Sequence, residues 1–240
     1  MTHRGEDMQV LDLSQRSAAR IAGVSLLAMA AIAILGVVGT QSPIVAGDAA
    51  QTASNILGRE FLFRAGVAGW LVVAILDVIV ALALYVVLKP VNRSLSLLAA
   101  SFRLVYAAVF VASVANLLVA VQLLSDATYK TLGAAQLDAQ AMAALDAFKN
   151  GWALGLVLFG VSLGMLGYLV YASGHIPKLL GVLLLIAGAS YVVANLGKIM
   201  FPALGGTMDA VAAGPAAIGE LAFALWLVVR AGRFPESDPG

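Results

Sequence analysis

The sequence predicts an all-α membrane protein, a bundle of six transmembrane helices with short amphipathic outer segments. Three observations lead there. Of 240 residues, 62% are hydrophobic and only 11% are charged, whereas a soluble domain carries about 25% charged residues because its water-facing shell needs them. Mean hydropathy is +0.98. Six runs, nearly free of charge, approach the ~20 apolar residues that a helix needs to cross a hydrocarbon core of about 30 Å.

The runs cover residues 18–38, 61–88, 95–124, 151–171, 177–200 and 213–229. Pro43, Pro90, Pro177, Pro202 and Pro235 fall between them or at their ends, where a missing N–H costs little, and Pro177 suits a first helical turn. Pro215 is either a first-turn residue of the sixth helix or an interior residue of a longer, kinked one. Arg16 and Arg20 precede the first run as in a signal peptide. That run exceeds the usual apolar stretch of about 7–15 residues, so it reads as a retained helix. The expected organisation is a cytoplasmic segment over residues 1–17, one transmembrane domain over 18–231 and a cytoplasmic tail over 232–240.

Orientation follows from Lys and Arg near the span ends. With the N-terminus inside, Arg4, Arg16, Arg20, Lys89, Arg93, Arg103, Lys178, Arg230 and Arg233 are cytoplasmic. Arg59, Arg64, Lys130, Lys149 and Lys198 are then outside. The asymmetry predicts a multi-pass protein of the cell (inner or cytoplasmic) membrane with both termini in the cytoplasm. Trp152 on the outer side, with Tyr85, Tyr171 and Trp226 on the inner side, is expected at the interfaces.

In residues 126–150, Leu137, Ala141, Leu145 and Phe148 recur at helical spacing opposite Gln136, Gln140 and Asp146. This predicts a short amphipathic helix lying on the membrane or capping the bundle. Residues 48–59 are a weaker case of the same kind. A faint internal repeat is also readable: the offset that takes Phe63 to Phe148 takes Tyr106 to Tyr191.

An ionisable group at mid-bilayer costs ~2.5–3.5 kcal/mol on insertion scales, so each needs a partner or a purpose. Asp77 lies deep in the second run. Reflection through the turn at residues 90–91 places it level with Arg103, with Tyr106 on the same face. An Asp77–Arg103 ion pair is expected, bidentate, with the Tyr106 hydroxyl on the spare carboxylate lone pair. Reflection through a turn near residue 207 places Glu220 level with Asn195, and Lys198 lies one turn further out. Glu220 is therefore expected to accept from Asn195 and reach Lys198, unless Lys198 snorkels outward. The candidate polar network is Asp77, Arg103, Tyr106, Asn195, Lys198 and Glu220. Arg64 is expected to reach the headgroups, and Ser162 and Ser190 to bond their own helices.

There are no cysteines, and His3 and His175 are far apart, so a thiolate or His-rich metal site is not expected. No G-x-S-x-G, H-E-x-x-H or Walker sequence occurs. No cofactor and no catalytic residue is assigned. Net charge is +1 without a basic stripe, which argues against nucleic acid as a partner. Expected partners are the lipid bilayer and either another membrane protein or a second copy of the chain. Gly151, Gly155, Gly160, Gly164 and Gly167 allow close approach of the fourth span to a neighbour.

The stretches LDVIVALALYVVLKPVNRSLSLLAASFRLVYA, GYLVYASGHIPKLLGVLLLIAGASYVVANL and IGELAFALWLVVR resemble a family of bacterial multi-spanning membrane proteins grouped as a domain of unknown function. The likeness covers roughly residues 55–232, and its most specific piece is Ser173 to Gly181. Asp77, Arg103, Pro177, Gly181, Tyr191 and Glu220 match the family pattern. The resemblance implies a helical bundle and supplies no activity.

Three functional classes remain. The first is a non-enzymatic scaffold or partner-binding bundle whose ion pairs are clasps. The alternative is a transporter or permeation pathway for a proton, ion or small lipophilic molecule, using Asp77 and Glu220. The third is an intramembrane enzyme with a carboxylate base, which lacks the usual site constellation. A cavity at Glu220 favours the second; a sealed interior favours the first.

Overall fold

The computed structural model describes residues 13–234. His3, Arg4 and Pro235 lie outside the described residues, as do most of the expected N-terminal segment and C-terminal tail. Six long helices carry the predicted runs: α1 (Gln15–Thr40), α3 (Glu60–Leu88), α4 (Arg93–Ser125), α5 (Ala134–Ala172), α6 (Lys178–Met200) and α7 (Gly205–Arg230). All six are long and apolar enough to cross a membrane. A short helix, α2 (Ala49–Gly58), sits between the first two spans, and among the described residues there is no strand.

Local chemistry sets the helix starts. Ser14, Asp48 and Asn92 cap α1, α2 and α4 by accepting from the backbone N–H groups of Ser17, Gln51 and Leu95, which satisfies donors that have no intrahelical partner. Pro177 is the residue before α6 rather than inside its first turn. Pro215 lies well inside α7, which begins at Gly205. The sixth helix therefore starts earlier than the hydropathy run, because its first turns carry Gly, Thr and Asp rather than large apolar residues.

The amphipathic segment expected over residues 126–150 is not a separate helix. After a 3-10 turn over Ala127–Leu132 and Gly133, at φ +66°, α5 runs unbroken for 39 residues. That is about 58 Å at ~1.5 Å per residue, well beyond a hydrocarbon core. Leu137, Ala141, Leu145 and Phe148 are buried, on the part of α5 that projects past the span and helps cover α2. The helical spacing was legible; its continuity with the following span was not, because Asn150 and Gly151, both poor helix formers, stand where the two meet.

The spans form a ring. Each packs on its sequence neighbour, α1 on α3 and so on through α6 on α7, and α7 returns to α1. Several seams depend on missing side chains. A Cβ on Gly160 of α5 would lie 2.7 Å from the Gly188 carbonyl oxygen of α6, and one on Gly39 of α1 would lie 2.6 Å from the Leu62 carbonyl oxygen of α3. Polar ties cross between helices as well: Gln15 Nε2 donates to the Val87 carbonyl at 3.2 Å, and Ser162 donates to the Ala99 carbonyl at 2.8 Å. Ser162 thus bonds α4 rather than its own helix, while Ser190 bonds its own at Ala187. Arg64 pairs with Glu60 at 2.8 Å and donates to Ser125 at 3.3 Å, at the end of the bundle that also carries α2. At the opposite end Arg16 donates to the carbonyls of Gly232 and Phe234.

Large apolar side chains cover the outside of the ring, among them Ile34 at 65%, Leu98 at 48%, Leu179 at 67% and Val229 at 72% exposure. A water-soluble monomer rarely presents such continuous apolar area, and a bilayer requires it.

Candidate functional site: a central cavity

Ring closure leaves a cavity of about 820 Å³ along the axis, reached by residues from all six long helices. That volume lies within the ~300–1,000 Å³ typical of small-molecule sites. Its wall is aromatic. Trp70, Tyr106, Phe110, Trp152, Phe159 and Tyr191 line it, and they hold one another: Trp70 meets Trp152 with centroids 5.1 Å apart, and Phe159 meets Tyr106 at 4.9 Å and Tyr191 at 5.2 Å. The Trp70 indole N–H is fixed by donating to Thr40 Oγ1 at 3.0 Å, and Thr40 in turn donates to the Gly36 carbonyl at 2.7 Å. Trp152, expected at the interface, belongs to this interior cluster; an aromatic near a span end reads alike in sequence whether it faces headgroups or the bundle axis.

Among the described residues the most buried charged group is Asp77, 1% exposed, paired with Arg103, 3% exposed. Arg103 donates from Nε at 2.9 Å and Nη2 at 2.5 Å, both to Oδ1. The expected two-oxygen fork does not form. Asp77 Oδ2 has no hydrogen-bond partner, so the Tyr106 hydroxyl does not fill it. Tyr106 is held instead by its ring, stacked on Phe110 with centroids 5.8 Å apart. Trp152 Nε1 lies near the Tyr106 hydroxyl without a hydrogen bond of ordinary geometry. The Arg103 guanidinium carbon sits 4.9 Å over the Phe159 ring, a cation–π contact that further ties the pair to the aromatic wall.

Glu220 of α7 accepts from the Tyr191 hydroxyl of α6 at 2.9 Å. Neither expected partner reaches it. Asn195 Nδ2 turns back to the Tyr191 carbonyl at 2.8 Å, leaving Oδ1 unpartnered, and Lys198 pairs with Asp209 at 2.6 Å. The cause is the position of the turn. The 3-10 turn lies at Pro202–Leu204, and reflection through it, rather than through residue 207, puts Lys198 level with Asp209. Sequence reasoning missed Asp209 because it precedes the hydropathy run, and missed Tyr191 because the reflection ignored the reach of a phenol.

All the candidate residues lie within a recognised family. The family model described as "Domain of unknown function (DUF4386)" matches residues 21–231. The chain belongs to this family. A relative from Archaeoglobus fulgidus, described as "Uncharacterized protein", is 36% identical over 170 residues, covering 71% of this chain and 86% of that protein. No solved structure matches. The DUF4386 match extends back to residue 21, so it takes in most of the first span, which the resemblance read in the sequence left out. It also encloses the cavity wall and both carboxylates at its core, Asp77 and Glu220.

Proposed function

We propose that this protein takes a small lipophilic cation into its central cavity, as the binding step of a permeation or transport pathway across the cell membrane. The observation that carries this reading is that one cavity touches both Asp77 and Glu220 beneath an aromatic wall. Arg103 offsets Asp77 and Lys198 offsets Asp209. Glu220 has the Tyr191 hydroxyl as its hydrogen-bond partner among the described residues. A carboxylate removed from bulk water needs a countercharge or a proton; Arg103 acts on Glu220 but spends its hydrogen bonds on Asp77, and a cationic guest supplies the direct contact. Arg103 already occupies the Phe159 face, and each remaining ring face that a guest approaches within ~6 Å attracts a cation by ~0.5–2 kcal/mol. The scaffold reading asks for a packed axis, and the volume at Glu220 weighs against it. Asp77–Arg103 serves as a clasp between α3 and α4 in either case. The Lys and Arg distribution supports cytoplasmic termini.

The test is equilibrium binding of radiolabelled tetraphenylphosphonium to the detergent-purified chain. One saturable site is expected, with affinity lowered at least about tenfold, or ~1.4 kcal/mol, in Glu220→Gln. Thermal unfolding verifies that the variant is folded. Absence of saturable binding, or equal affinity in a folded Glu220→Gln, would sink the reading.

A further inference from the structure

The ring is not sealed evenly. On α1, Gly23, Ala30 and Val37 fall at seven-residue intervals, so they share one face with a drift of only about 20° per step. At Gly23 that face is in contact with α7: a Cβ there would lie 2.8 Å from a Val228 methyl and 3.0 Å from the Ala224 carbonyl oxygen. Ala224 is 1% exposed. Two turns toward the α2 end that burial is gone. Ala30 on α1 and Ala217 on α7 are both exposed, and so are Val37 and Ala213 beyond them. Yet all four line the central cavity. Two adjacent helices that shared a packed seam at this level would bury these residues against each other.

We infer that α1 and α7 splay apart from mid-membrane toward the α2 end, and that the gap between them is a lateral portal through which a lipophilic cation enters the cavity from the hydrocarbon of the bilayer. The occupant rests on the reading under Proposed function; the portal rests on the α1–α7 geometry. Small side chains alone would carry neither. Asn195 Oδ1 and Asp77 Oδ2 are second, independent observations: both belong to side chains no more than 2% exposed that line the cavity, and both lack hydrogen-bond partners. Unsatisfied buried polar atoms of this kind call for a guest or water. The path is graded in chemistry. Alanines at the gap admit an apolar body, aromatic faces accept the cation, and Glu220 lies at the level where the seam closes. A cation that partitions into the membrane reaches Glu220 by this route without first crossing the Lys198–Asp209 pair.

The natural chain has no cysteine, so single and paired thiols can be placed without background. Bimane attached at Ala30→Cys or Ala217→Cys is reconstituted into liposomes of phosphatidylcholine brominated on its acyl chains. Both sites are expected to be quenched to an extent comparable with bimane at Leu225→Cys, which is 53% exposed on the ring exterior. Dissolved iodide should quench them little. Strong iodide quenching, or none by either agent, overturns the portal. Separately, Ala30→Cys and Ala217→Cys are bridged by a short bifunctional methanethiosulfonate. The bridge should slow tetraphenylphosphonium association in liposomes at least about tenfold relative to the same double-cysteine protein before bridging, and dithiothreitol should restore the unbridged rate. Unchanged association in a verified bridged protein also overturns the portal. If lipid quenching occurs but tetraphenylphosphonium never binds, the portal stands and the cation reading falls.

Discussion

Arg103 on α4 directs two donors at a single oxygen of Asp77 on α3, Nε at 2.9 Å and Nη2 at 2.5 Å to Oδ1, while Oδ2 accepts nothing. Both residues are at most 3% exposed, so neither charge can relax into water when the other is lost. Removing one member of such a pair typically costs ~3–5 kcal/mol, whereas replacing both by apolar residues is often neutral. Asp77→Asn should therefore lower the unfolding midpoint in detergent sharply. The double variant Asp77→Leu with Arg103→Met should recover most of it. A double variant as unstable as the single one would show that the pair does more than compensate its own burial.

That contact was legible in the sequence, and the reason is geometric. The α3–α4 hairpin turns within residues 89–92, so depth is conserved on reflection and Asp77 meets Arg103. The α6–α7 hairpin defeated the same procedure, because α7 opens on Gly205, Gly206, Thr207 and Asp209, which hydropathy does not count as a span. The six spans themselves were legible because bilayer thickness fixes their length. The cavity was not. It arises from closure of α7 on α1 at opposite ends of the chain, and no local pattern reports whether a ring of helices fills its own axis. Tyr106 and Tyr191, linked in sequence only by a faint repeat, both pack on Phe159 in that cavity.

The α5–α6 seam supplies a paired test within one helix. At Gly160 an added Cβ meets the Gly188 carbonyl oxygen at 2.7 Å, but at Gly164 it meets nothing within 4 Å. Gly160→Ala should destabilise by ~1–3 kcal/mol through overpacking. Gly164→Ala should be neutral or stabilising by up to ~1 kcal/mol, because alanine is the better helix former. Unfolding titrations of the two variants check the contrast, and equal midpoints would contradict the packing described.

Orientation is open to a direct measurement on the cysteine-free background. Gln136 on the α5 extension and His175 beyond its other end are both exposed. In intact cells a membrane-impermeant maleimide should label Gln136→Cys, and should label His175→Cys only after lysis. The reverse pattern would place the termini outside and invert the charge argument.

Asp126 gives a pH dependence outside the spans. Its Oδ1 accepts from the Thr128 backbone N–H at 2.8 Å, and that backbone bond, helped by the Thr128 side chain, holds its carboxyl below the usual range. The folded chain thus binds the proton less readily than the unfolded one. The cap's contribution is complete above the unfolded pKa of about 3.9 and is lost as pH falls through the lower folded value. Hydrogen-exchange protection of the Thr128 amide, corrected for the intrinsic pH dependence of exchange, should fall as pH drops from about 5 to 2. In Asp126→Asn that fall should disappear.

Tyr191 and Glu220 separate a guest's contact from the protein's own. The phenol now donates to Glu220 Oε1 at 2.9 Å, a bond to a chargeable group worth ~1.5–3 kcal/mol. Tyr191→Phe keeps the ring face at 5.2 Å from Phe159 but leaves that oxygen open. The empty protein should melt lower. A cation that binds Glu220 then takes over the vacated site, so the thermal shift produced by tetraphenylphosphonium should be larger in Tyr191→Phe than in the natural chain. In Glu220→Gln the shift should vanish, because the amide offers no charge to the guest. The two substitutions thus move the same readout in opposite directions if Glu220 is the anchor. Should both abolish the shift, the hydroxyl of Tyr191 would itself be holding the guest, and the anchor would have to be reassigned from α7 to α6.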